Sequence, residues 1–172
     1  MLVIGERINT SRKIKGEPVI ENAVKARDAA FFIDLATKQY EAGANYIDVN
    51  CGTLLDGEPD AMEWLVTTIQ GALDVPCAIN SPNPVAIERA LKVHKGQAMI
   101  NSITAEQERY TNVLPLVKQY ETKVIALAMG DAGIPPDAAG RIAVGRELVG
   151  NLTADSSLER SDQCSTKQWV EE

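Results

Sequence analysis

The sequence predicts an α/β fold of the TIM (β/α)8 type, truncated to about five β/α units. Three observations point there. Short apolar strands alternate with helical patterns through most of the chain. Two strands end in the same phrase, Cys77-Ala-Ile-Asn-Ser81 and Gln97-Ala-Met-Ile-Asn-Ser102, with their asparagines 21 residues apart and a helical stretch between. No glycine fingerprint follows the first strand, which favours a barrel over a doubly wound sheet. Parallel strands joined by helices carry their polar tips to one sheet end. Asn80 and Asn101 are therefore expected to face one shared site.

At 172 residues the chain is long enough for a substantial core, and one domain is the default. A hydrophobic content of 45% and a charged content of 24% are ordinary for a globular protein. The net charge of -7 argues against a nucleic-acid backbone or an anionic membrane surface as partner. No apolar run approaches the ~20 residues that span a bilayer, and the start lacks a signal-peptide layout. The expectation is a soluble, cytoplasmic protein with no membrane or nucleic-acid partner. Cys51, Cys77 and Cys164 form neither a disulfide framework nor a CxxC pair, so no metal is expected.

Leu2-Val-Ile4 reads as the first strand, with Gly5-Glu-Arg-Ile-Asn9 as its polar exit. Residues 10–21 hold three lysines or arginines, a glycine and a proline, and read as a loop. A helix over about 26–42 has Phe31, Leu35 and Ala42 near one face and closes at Gly43. Residues 45–52 form the second strand, where alternation sets Asp48 and Asn50 on one side. A helix over about 60–72 leads to the third strand, ending at Asn80-Ser81. Pro84 suits the first turn of the next helix, which runs to about His94. The fourth strand is 98–101. Thr104-Ala-Glu-Gln107 reads as a capping box for a helix to about Tyr120, interrupted by Pro115. The fifth strand is 123–128, and a helix over about 137–149 follows. No sixth strand is evident after Gly150. The pattern divides the chain into a partial barrel, 1–150, and a polar tail, 151–172. An open set of five units exposes two strand edges, so the chain is expected to be unstable, a homo-oligomer, or completed by a partner.

Glu6, Asp48, Asn50, Asn80, Asn101 and Asp131 all fall at strand exits. Amides offer donors and an acceptor, and carboxylates accept from N–H groups, so such a ring suits a polar heteroaromatic ligand. Each residue alone reads equally as a capped turn or a satisfied buried group. Glu6 and Arg7 also fit a buried ion pair. Cys51 and Cys77 read as packing residues rather than nucleophiles. His94, at a helix end before Lys95-Gly96, fits a cationic C-terminal cap. A phosphate-cradling GxxxxGK[ST] loop is absent. Arg12-Lys13-Ile14-Lys15 reads as solvated surface or as a contact for an acidic ligand tail.

Met1-Leu-Val-Ile-Gly-Glu-Arg-Ile-Asn9, Ile47-Asp-Val-Asn50, Ala61-Met-Glu-Trp-Leu-Val66, Ala98-Met-Ile-Asn-Ser102 and Gly133-Ile-Pro135 resemble the methyltetrahydrofolate:corrinoid methyltransferases. Their pterin-binding barrel is shared with cobalamin-dependent methionine synthase and dihydropteroate synthase. The resemblance runs from residue 1 to about Val149. It implies transfer of the N5 methyl group between methyltetrahydrofolate and the cobalt of a corrinoid protein, with cobalamin carried by that partner. It also implies that Glu6, Asp48, Asn50, Asn80, Ser81 and Asn101 bind the pterin, that Asn101 is the catalytic group, and that Met129 and Asp131 face the corrinoid.

Two departures stand out. The family has Asp-Ser where this chain has Asn80-Ser81, so an aspartate at 80 is expected to tighten folate binding through a charge-assisted hydrogen bond. The family's sixth to eighth strands carry a further pterin aspartate and the asparagine that contacts N5, and the sequence here has no matching segment. Two alternatives stay open: a non-catalytic truncated fragment that binds pterin, and a pterin enzyme of dihydropteroate synthase type.

Overall fold

The computed structural model describes residues 2–155 and 164–165. The expectations for the tail at 156–163 and 166–172 lie outside the described residues. The chain divides into two compact units, Met1–Asn101 and Ser102–Glu172.

The first unit holds β1 (Ile4–Asn9), α1 (Val19–Lys25), α2 (Ala29–Glu41), β2 (Tyr46–Asn50), α3 (Glu58–Ala72), β3 (Cys77–Asn80), α4 (Pro84–Val93) and the start of β4 (Met99–Thr104). Each strand pairs in parallel with the next, β1 with β2, β2 with β3 and β3 with β4. This strand–helix alternation is the expected barrel-type α/β arrangement. Ile47, Ile79 and Ile100 are fully buried. β2 is buried along its length except at Asn50, as befits a parallel strand covered on both faces. The helices supply Phe32, Met62, Leu65, Ile69 and Ile87 to this core. Phe32 meets Phe31 and Trp64 edge-on, at ring separations of 5.2 and 5.7 Å. Asp28 caps α2 by accepting from the Phe31 amide, and Asn83 caps α4 by accepting from Val85.

Several boundaries differ from the sequence reading. β1 begins at Ile4 and includes the stretch expected to be its exit, because Ile8 is fully buried whereas Leu2 and Val3 are exposed. Its register slips between Gly5 and Ile8, a bulge spanning Glu6 and Arg7. The expected loop at 10–21 contains the start of α1, whose Ile20 and Val24 lie one helical turn apart and are both buried. α2 buries Phe32 and Ala36, one residue round from the expected Phe31–Leu35 face. β4 continues past Asn101 to Thr104, since Ile103 alternates inward and is fully buried.

The second unit holds the rest of β4, α5 (Gln107–Tyr120), β5 (Lys123–Leu127), α6 (Ala138–Asp155) and β6 (Cys164–Ser165). β5 pairs in parallel with β6, a two-residue strand absent from the sequence reading. α6 extends beyond the expected Val149. The expected capping box does not form. Thr104 lies in β4 and donates to the Glu106 carboxylate at 2.9 Å, while the first amide of α5, that of Gln107, donates to Asp131 at 3.0 Å. α5 runs through Pro115. No helix among the described residues is long and apolar enough to cross a membrane.

Candidate functional site

β2, β3 and β4 run side by side, and each carries a polar residue at this level of the sheet: Asp48 midway along β2, Asn80 at the end of β3 and Asn101 within β4. The register sets Asp48 opposite Ala78 and Asn80 opposite Asn101. Asp48 is 1% exposed, Asn101 is 8% exposed, and Asn80 is half-buried. The Asn101 Nδ2 donates to one Asp48 oxygen at 2.7 Å. The Asn80 Nδ2 donates to both, at 3.1 and 3.3 Å. The Asn80 and Asn101 side chains, expected at one shared sheet end, thus meet at Asp48.

Burial in an apolar strand raises the Asp48 carboxyl to about 6, outweighing the hydrogen bonds from Asn101 and then Asn80 that act to lower it. A carboxylate held out of water by a parallel sheet, with amide donors as its partners, is costly to keep. Perturbed carboxyls of this kind concentrate at binding and catalytic sites.

The other predicted residues divide by role. The Asn50 Oδ1 accepts from the Gly52 amide at 3.0 Å, so this side chain shapes the turn after β2. The Ser81 hydroxyl is buried and accepts from the Asn83 amide at 2.9 Å, shaping the turn into α4. Glu6 lies half-buried in the β1 bulge. The proposed buried Glu6–Arg7 pair fails on exposure, since Arg7 is open to solvent. Met129 and Asp131 belong to the second unit, where Asp131 holds the start of α5.

Cys51 and Cys77 are fully buried free thiols. Burial pushes both up to about 12, helped at Cys51 by the nearby Glu58 charge and at Cys77 by that of Asp48. They pack rather than react. His94 is not a cationic cap. Its Nε2 accepts from the Cys77 amide at 2.9 Å, and burial holds its pKa below the ordinary imidazole value. Accepting there requires the neutral ring. His94 thus fixes the start of β3.

Sequence reasoning missed Glu58. It is 3% exposed, and its Oε1 has no hydrogen-bond partner among the described residues. It stands at the start of α3 near Gly52, on the side of Asn50. The one available signal was its place before Pro59, at the acidic first turn of a helix. A groove of about 670 Å³ lies elsewhere in the unit, with Phe31, Leu35, Ile14 and Ile20 in its wall and Arg7, Arg12 and Lys13 among its lining. It includes none of the strand-tip residues. The carboxylate–amide chemistry favours the strand tips as the site over this mostly apolar groove.

Comparison with known proteins bears on the ligand. A family model described as pterin binding enzyme matches residues 6–160. A methylcorrinoid:tetrahydrofolate methyltransferase of Eubacterium limosum is 30% identical over 151 residues, covering 87% of this chain and 54% of that protein. The chain thus spans about half the length of this curated relative. Among solved structures, the 7,8-dihydropteroate synthase of Vibrio fischeri ES114 superposes with a TM-score of 0.66 at 18% identity, covering 96% of this chain and 60% of the other. The Xanthomonas albilineans dihydropteroate synthase, solved with 4-aminobenzoic acid, gives 0.64 at 19% identity with the same coverages. At these identities the structural likeness speaks for the fold alone.

Proposed function

Because the chain belongs to the pterin binding enzyme family, we propose that the Asp48–Asn80–Asn101 cluster holds the pterin ring of a tetrahydrofolate. We further propose that the protein moves the N5 methyl group between methyltetrahydrofolate and a corrinoid protein. One observation carries the first part: a buried carboxylate with two carboxamides bonded to it, on three adjacent parallel strands. Such groups match the N–H and carbonyl edge of a pterin. The kinship with a named methylcorrinoid:tetrahydrofolate methyltransferase supports the second part.

In this reading Asn101 acts by orientation. It holds the flat ring from one side so that the N5 methyl group is presented in line to the incoming or leaving partner. Asn50, Ser81 and Glu6 set the walls of the turn region around the ring. The corrinoid, carried by a partner protein, supplies the methyl acceptor or donor. The Met129–Asp131 loop, after β5, is proposed to contact that partner. A buried apolar sheet beneath the ring keeps the polar contacts strong by excluding water.

The test is methyl transfer. Methyltetrahydrofolate and reduced cobalamin, mixed with the chain, are expected to yield methylcobalamin, followed by its visible absorption, and Asn101→Ala is expected to abolish this. Condensation of a pterin with 4-aminobenzoate instead would favour the dihydropteroate synthase reading. Pterin binding without either reaction would favour a binding fragment.

A further inference from the structure

A carboxylate has no hydrogen to donate. Any carboxamide bonded to it must therefore turn its NH2 inward, and its oxygen is then aimed elsewhere. Asn80 and Asn101 both do this toward Asp48, at 3.1 and 2.7 Å. Among the described residues no group donates to either freed oxygen. The two asparagines stand side by side in the β3–β4 register.

We propose that Asp48 is a positioning residue that fixes the polarity of Asn80 and Asn101, so that two carboxamide oxygens meet the ligand and select a heteroaromatic edge offering N–H donors. The ligand class rests on the pterin reading above. The polarity itself rests only on the geometry. The site should then favour a 2-amino-4-oxo pteridine, which presents amino and ring N–H donors, over its 2,4-dioxo counterpart, which places a carbonyl oxygen where the amino group was. An unpaired oxygen facing an oxygen is the stronger kind of discrimination.

An asparagine at 48 removes the constraint. Its one oxygen can accept from one neighbour, while its NH2 requires an oxygen from the other, so one of the two amides must turn. Protonation of Asp48 does the same, because one oxygen then becomes a donor.

The test has a ligand-free arm and a ligand arm. In the first, side-chain NH2 signals of Asn80 and Asn101 are read by NMR on 15N-asparagine-labelled protein. At pH 8 one proton of each pair is expected to be shifted downfield and slow to exchange. Both features are expected to vanish in Asp48→Asn, and in the unchanged protein to fade together as pH falls through about 6. Glu6 on β1, Glu58 on α3 and Cys77 on β3 are titratable groups on elements packed against β2. None of them accepts a hydrogen bond from either amide, so their titrations do not break the bonds that the two signals read. Signals that ignore both pH and the substitution overturn the positioning role, and the wild-type titration decides the matter even if Asp48→Asn fails to fold.

In the second arm, the wild-type preference for the amino-oxo pteridine over the dioxo form is expected to be at least about tenfold and to collapse toward unity in Asp48→Asn. An equal preference in both proteins overturns the selectivity. If neither pteridine binds the wild type, the pterin reading fails, while the amide signals still decide the role of Asp48.

Discussion

Asp48 is expected to cost the fold stability at neutral pH, and Asp48→Asn measures how much. In the unfolded chain its carboxyl titrates near 3.8, and in the folded chain burial raises this to about 6. Below the lower value the group is protonated in both states and contributes no pH dependence. Between the two values the unfolded chain releases its proton while the folded chain keeps it, so stability falls as pH rises. Above about 6 the cost is full and constant. A shift of about two units corresponds to about 3 kcal/mol. Asp48 is 1% exposed, so solvent screening takes little from that figure.

The assay is urea unfolding of the wild type and Asp48→Asn at pH values from 4 to 8. The substituted chain also rearranges its hydrogen bonds to Asn80 and Asn101, which shifts its stability by an amount that does not vary with pH. The pH-dependent part of the difference isolates the carboxyl. It is expected to move by about 2.5 kcal/mol in favour of Asp48→Asn across that window, the rest of the shift lying below pH 4. A difference that stays flat within about 1 kcal/mol would refute the claim that Asp48 is desolvated, and with it the reasoning that makes this carboxyl a functional rather than a structural group.

Asn80→Asp was expected from sequence to tighten folate binding, but the structure adds a cost. The new carboxylate would face Asp48 across about 3 Å, and two such groups share a proton rather than both ionise. Its binding constant should therefore gain a pH dependence above 6 that the wild type lacks, which calorimetric titration at pH 6 and pH 8 would show. Cys51 and Cys77, pushed up to about 12, should resist an aromatic disulfide reagent at pH 8 in a folded Cys164→Ser protein and react only on unfolding. Phe32→Ala should cost about 3–5 kcal/mol of stability, measured by urea unfolding, because this fully buried ring anchors α2 against Trp64.

The meeting of Asp48, Asn80 and Asn101 was legible because parallel strands leave little freedom. Once the repeated Asn-Ser tips are placed on neighbouring strands, Asn80 and Asn101 must share an end, and Asp48 follows from its place inside an apolar strand. What the sequence hid was which group organises the others. Asp48 reads as one polar residue among six, and only the structure shows two amides turned to it. The role of His94 was hidden for a related reason. Its helix-end position suggests a charge, but the partner that decides its protonation, the Cys77 amide, is 17 residues away and becomes a neighbour only on folding. Glu58 was hidden because a glutamate in a first turn ordinarily faces water. The boundary errors at β1, α1 and β4 share one cause. Leu2 and Val3 look like core, but they are exposed, while Ile8 and Ile103, each between polar neighbours, and Ile20, next to a proline- and glycine-bearing stretch, are the buried ones.

If Asp48, Asn80 and Asn101 form a pterin site, methyltetrahydrofolate binding must depend on them. Equilibrium binding of methyltetrahydrofolate to the chain, beside Asn101→Ala, tests it most directly. Saturable binding to the wild type, weakened at least about tenfold by loss of the Asn101 amide in a variant that remains folded, is the predicted result. Equal affinity in both proteins, or no saturable binding by a folded wild type, would contradict it.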